Sequence, residues 1–232
     1  MIVFAHTPKC GGKSIYKALQ ENFKERVLLD QTDPYSINRL QLYYQKFYTK
    51  GYKSPTTFFD SYDCIYGHFS HDRYRGIRDG SCLGMLFRHP IDLVSSYYFY
   101  KVNKGIESAK KHNIKYVQRY PYGSVLELSS TYKFKNFFRL YLGDLDPSNL
   151  DFLFIQEYFS ESIELFEKVT GLRINEYKEN TTINKPNNYR NYLVDTEEFN
   201  TVENNMTSNI VIYNKAVDRF KSLCKKNGVK VD

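Results

Sequence analysis

The sixteen residues Met1-Ile-Val-Phe-Ala-His-Thr-Pro-Lys-Cys-Gly-Gly-Lys-Ser-Ile-Tyr16 decide how the rest of the chain is read. Ile2, Val3, Phe4 and Ala5 form the continuous apolar run of a short strand covered on both faces. Gly11 and Gly12 allow a sharp turn and a close approach of backbone to ligand. Lys13 and Ser14 open a helix that carries Ile15, Ala18, Leu19 and Phe23 at helical spacing and ends near Glu25. A strand that feeds a glycine loop at a helix N-terminus is suited to a phosphate. Free amides and the positive end of the helix dipole both face the anion.

The composition bounds the classes of function. The chain has 232 residues, enough for one sizeable core. With 41% apolar and 25% charged residues it reads as an ordinary globular protein rather than a disordered or fibrous one. The net charge of +7 favours anionic partners. The densest basic runs are only the pairs Lys110-Lys111 and Lys225-Lys226, so a site for a small polyanion is expected and nucleic-acid binding is not. Cys10, Cys64, Cys82 and Cys224 are scattered without a CxxC pair, which reads as reduced thiols and no zinc site. No signal-peptide pattern or apolar run of about 20 residues occurs, so a cytoplasmic protein without a membrane span is expected.

Along the chain, strands alternate with helices. Val27-Leu28-Leu29 reads as a second strand, and Ser36 as the N-cap of a helix to about Tyr48. Asp63 to Phe69 is a strand-to-loop passage, followed by a polar loop with His71, Arg73, Arg75 and Arg78. Cys82 to Phe87 is a buried strand. A helix from Pro90 to about Asn103 follows, with proline in its first turn. Residues 104–122 read as a polar, tyrosine-rich excursion, and Phe134 to Leu142 as helical. Phe152 to Ile155 is a third central strand, Glu157 to Val169 a helix closed by Gly171, and Ser208 to Lys225 a final helix. This alternation predicts a single α/β domain over residues 1–232, with a mainly parallel central sheet and helices on both faces.

In such sheets ligands bind beyond the carboxyl ends of the strands. Three segments fall there: His6 to Ser14, Gly67 to His71 and Arg88 to Ser96. Gly12-Lys13-Ser14 matches the end of a Walker loop, but Thr7 stands where its first glycine belongs and Lys9 is left unexplained.

His6-Thr-Pro-Lys-Cys-Gly-Gly-Lys-Ser14 resembles the H-x-P-K-T-G-G-T-S loop of the carbohydrate sulfotransferases, especially the uronyl 2-O-sulfotransferase type. Tyr66-Gly-His-Phe69 is similar to their G-H motif, and Arg88-His-Pro-Ile-Asp-Leu-Val-Ser-Ser96-Tyr-Tyr to R-D-P-I-x-R-x-x-S-x-Y-Y. Asn180-Thr-Thr-x-x-Lys185 is similar to their R-K-T-T-x-K-K loop. The resemblance implies a P-loop-like fold that binds 3′-phosphoadenosine 5′-phosphosulfate and releases adenosine 3′,5′-bisphosphate, without a metal. It implies that Lys9, Cys10, Gly11, Gly12, Lys13 and Ser14 hold the 5′-phosphosulfate, and that Arg88 and Ser96 hold the 3′-phosphate. Thr181, Thr182 and Lys185 would close over the nucleotide. His68 would be the general base and Lys9 would act on the leaving oxygen, with a saccharide hydroxyl as the expected acceptor.

His71, Arg73 and Arg75 are expected to contact the acceptor, whereas His6 reads as a packing or supporting group. Four positions depart from the family pattern: Cys10 and Lys13 replace threonines, His89 an aspartate and Leu93 an arginine. Two other readings stay open on the residues. One is a P-loop kinase using ATP, for which Asp63 is a poor metal-holding residue because it starts its strand. The other is a nucleotide-binding protein of the same fold without catalysis.

Overall fold

A computed structural model describes residues 1–31, 59–78, 80–111, 123–174 and 196–231. The expected helix after Ser36, most of the tyrosine-rich excursion, and Thr181, Thr182 and Lys185 lie outside them. The chain forms two compact units. The first comprises Met1–Phe87, Phe138–Thr181 and Asn214–Asp232, the second Arg88–Phe137 and Thr182–Tyr213.

In the first unit, the described residues build a five-stranded sheet from β1 (Ile2–Ala5), β2 (Val27–Asp30), β3 (Cys64–Gly67), β4 (Cys82–Phe87) and β5 (Phe152–Ile155). Their order is β2-β3-β1-β4-β5 and every pairing is parallel. Ile2 pairs with both Cys64 and Cys82, so β1 is the central strand. The uninterrupted apolar runs follow from this position. β1, β3 and β5 are buried along their whole length, and a strand covered on both faces has no polar side to alternate.

Phe4 anchors the core, edge-on to Tyr66 at 5.3 Å and to Phe152 at 4.9 Å, and stacked on Phe154 at 5.4 Å. Gly84 on β4 makes room for this cluster, because a Cβ there would stand 2.1 Å from the Phe152 ring. Helix α1 (Gly12–Phe23) buries Ile15, Ala18 and Leu19. After β5, Gln156–Tyr158 forms a single 3₁₀ turn before a helix over Phe159–Thr170, which Gly171 ends at φ 72°, as expected. Phe152–Ile155 was expected to be central, but it is an edge strand of the described sheet.

The second unit is helical among its described residues. Its first long helix runs Pro90–Lys111, eight residues beyond the expected end. Lys104 lies over the Tyr100 ring at 4.9 Å, one turn back, and Gly105 does not interrupt the helix. Short helices follow over Val125–Ser130 and Tyr132–Lys135, capped by Ser124 and Thr131. The last helix runs Thr196–Asn227, with its residues from Asn214 onward counted in the first unit, and it starts twelve residues earlier than the apolar pattern predicts. The stripe is broken at its centre by a polar residue. Val202 and Met206 are buried at helical spacing, but the next interior position is Asn209, whose side-chain amide donates to the Phe134 and Lys135 carbonyls at 2.7 and 3.2 Å. Among the described residues no helix is long and apolar enough to cross a membrane.

Candidate functional site

The site of the first unit is built at the carboxyl ends of β1 and β3. β1 ends at Ala5, and the chain turns through Lys9 at φ 71° and Gly11 at φ 87° before α1 begins at Gly12. A left-handed lysine costs on the order of 1–2 kcal/mol, so the loop is held in this shape by its surroundings. Thr7 supplies the main tie. It is fully buried and its hydroxyl donates to the Leu86 carbonyl of β4 at 2.6 Å. Cys10 is also buried, with its sulfur 3.1 Å from the Thr7 hydroxyl and 3.7 Å from the Pro8 carbonyl. The Cys10 side chain therefore braces the loop from inside.

Helix α1 has no side-chain cap and no acidic residue in its first turn. Its leading amides have no acceptor within the helix, and the positive end of its dipole is not offset by an acid in that turn. Tyr66 on β3 donates to the Gly12 carbonyl at 2.6 Å, tying the helix start to the sheet. Gly12 is needed for close approach, since a Cβ there would stand 2.1 Å from the His6 ring. Gln156 flanks the loop on the β5 side, its Oε1 3.0 Å from where a Gly11 Cβ would sit. Gln156 was not singled out from the sequence, although its place directly after a buried strand is the signal that marks such sites.

His6 and His68 stand side by side, their ring centroids 4.5 Å apart, with His6 stacked on Tyr66 at 5.5 Å. The His6 amide donates to the Gly67 carbonyl at 2.7 Å. In return, His68 Nδ1 is 2.7 Å from the His6 carbonyl. A carbonyl only accepts, so Nδ1 carries the proton and Nε2 is the basic nitrogen of the neutral ring. Burial, and secondly the neighbouring His68, push the His6 pKa well below its ordinary value of 6.5. His6 is thus neutral near pH 7, and its buried Nε2 finds no hydrogen-bond partner among the described residues.

The residues expected to meet an acceptor are placed differently. His71 is fully buried, with Nε2 3.2 Å from the Gly84 carbonyl. Arg73 is 8% exposed and forms an ion pair with the buried carboxylate of Asp30. Both are interior groups. Arg75 is exposed and bridges Asp72 at 3.1 Å and Asp144 at 2.9 Å. Asp63 pairs with Arg26 through two hydrogen bonds, which lower its pKa. Among the described residues no three His, Cys, Asp or Glu come together to hold a metal.

In the second unit, Arg88 directly follows the last residue of β4 and is half-buried. Ser96 lies on the Pro90–Lys111 helix and is buried at 3% exposure. Leu93, where the family pattern has an arginine, is fully buried, so the position is apolar here. His89 packs edge-on against Tyr213 at 5.4 Å.

No family model matches the chain, and no curated protein matches it. Among solved structures the chain is similar to the crystal structure of a sulfotransferase from Alicyclobacillus acidocaldarius. The two are 11% identical, with a TM-score of 0.41, over 90% of this chain and 94% of that one.

Proposed function

We propose that the protein is a sulfotransferase that takes the sulfuryl group of 3′-phosphoadenosine 5′-phosphosulfate and passes it to a hydroxyl, with a saccharide as the acceptor class. The observation that carries this reading is the pairing of an uncapped helix start, entered through a left-handed lysine, with a histidine whose Nδ1 is committed to the carbonyl of His6. The nucleotide, when bound, supplies the transferable group and a phosphate leaving group.

The amides of Gly11, Gly12, Lys13 and Ser14 suit its 5′-phosphate end, where the helix dipole favours negative charge. Cys10 contributes its backbone only, because its side chain is turned inward. Lys9 provides a fixed cation against the charge that grows on the leaving oxygen, which lowers the barrier more than it tightens ground-state binding. Arg88 and Ser96 are assigned to the 3′-phosphate by the motif they share with carbohydrate sulfotransferases. The guanidinium can bind that group bidentately. His68 Nε2 accepts the proton of the acceptor hydroxyl as its oxygen bonds to sulfur.

The test is transfer from labelled nucleotide to a panel of hydroxyl acceptors. Lys9→Ala and His68→Ala are each expected to lower kcat by about 10²–10⁴-fold. Undiminished transfer in His68→Ala overturns the base assignment. Thermal stabilisation by Mg-ATP but not by adenosine 3′,5′-bisphosphate overturns the choice of nucleotide.

A further inference from the structure

We propose that Asp30 is the positioning residue of His68, acting from the neighbouring strand on both ends of the turn that carries it. This inference rests on the reading of His68 as the general base. Asp30 is the last residue of β2, and among the described residues β2 pairs only with β3. Its backbone carbonyl accepts the His68 amide at 2.7 Å. Gly67, at φ 152°, lies directly against that carbonyl, and a Cβ there would stand 1.7 Å from the Asp30 oxygen. The strand therefore hands over to His68 under steric contact with one residue.

The Asp30 side chain reaches the far end of the same turn. Its Oδ2 accepts from Arg73 Nη1 and from the Tyr74 hydroxyl, the latter at 2.8 Å. The carboxylate is fully buried and its two partners nearly so, and Tyr74 is further packed edge-on against Phe69 at 4.8 Å. A buried ion pair gives little net stability over apolar packing of the same volume. What it adds here is direction, since two donors from residues 73 and 74 converge on a single oxygen. Residues 68 and 73–74 are thus fixed to one side chain and its own backbone. Held in this way, the turn keeps His68 Nδ1 at 2.7 Å from the His6 carbonyl.

The test uses the full chain labelled with ¹⁵N-histidine, and reads the tautomer of His68 by long-range ¹H–¹⁵N correlation alongside the kinetics. In wild type the Nδ1–H tautomer is expected. In Asp30→Asn a mixture of tautomers is expected, with kcat lowered about tenfold or more and KM for the nucleotide unchanged. Tyr74→Phe removes one donor while keeping the ion pair, and a smaller tautomer shift with a smaller loss in kcat than in Asp30→Asn is expected, because Arg73 still holds the carboxylate. The tautomer is the deciding readout. A folded Asp30→Asn that keeps the wild-type tautomer overturns the proposal. If that variant does not fold, an unchanged tautomer in Tyr74→Phe overturns it. Absence of sulfuryl transfer in wild type would defeat the sulfotransferase reading alone, because the tautomer still decides the role of Asp30.

Discussion

The turn after β1 and the turn after β3 lie side by side at the carboxyl ends of neighbouring strands, and they are held in opposite ways. The first is a backbone structure. Lys9 and Gly11 set its path, Gly12 makes room for the His6 ring, and its fixed side chains are small: Thr7 on the Leu86 carbonyl and the buried Cys10. The second is a side-chain structure, in which Asp30, Arg73 and Tyr74 form a buried polar knot around the turn. On the proposed reading, an anion loop must present amides, so its shape is written in residues that lack bulk, and a base must present one nitrogen, so its turn is fixed by groups that have direction.

The largest effect should come from breaking the knot. Arg73→Ala leaves a buried carboxylate without its cation and is expected to cost about 3–5 kcal/mol in urea unfolding. Arg75→Ala, two residues on, removes an exposed cation and should cost under about 1 kcal/mol. Equal losses in the two variants would erase the distinction between a knotted turn and a solvated one.

A smaller effect is expected in the backbone-built turn. Gly12→Ala drives a methyl against the His6 ring and should destabilise by about 1–3 kcal/mol, since a ring can shift where a backbone cannot. The same variant should weaken stabilisation by adenosine 3′,5′-bisphosphate in a thermal scan. Full retention of both stability and nucleotide response would mean that the loop has slack.

The smallest effect concerns pH. The folded-state pKa of His6 lies below its unfolded value, so the unfolded chain binds the extra proton first as pH falls. Its stabilising contribution is therefore complete above the ordinary value of 6.5 and is lost as pH drops below it. Between pH 7 and 5.5 a loss of about 1 kcal/mol is expected. His6→Gln should flatten that slope in urea titrations at the two pH values, and an unaltered slope would remove His6 from the account.

This contrast also explains what could be read from the sequence. β1, β4 and β5 are legible to the residue, because strands covered on both faces show as unbroken apolar runs between polar ends. The glycine loop and its helix are legible for the same local reason. The knot is not. Asp30 and Arg73 are 43 positions apart, and nothing in either neighbourhood points to the other. Arg73 and His71 looked like ligand-facing groups because basic residues in a loop usually face water. The order of the strands, which alone decides whether they do, is absent from local pattern. The long helix at Thr196 was cut short for a related reason. Asn209 occupies an interior position and is satisfied by carbonyls of a distant segment, so the apolar stripe breaks where the helix does not.

The place of β1 at the middle of the sheet bears on how the protein is made. Both of its partner strands are encoded far downstream, at Cys64–Gly67 and Cys82–Phe87. At translation rates of roughly 5–20 residues per second, Ile2–Ala5 waits several seconds on the nascent chain with both hydrogen-bonding edges open. The sheet cannot be nucleated by its first strand. It must close around that strand once β4 has left the ribosome, which makes assembly of this core a late, long-range event in synthesis.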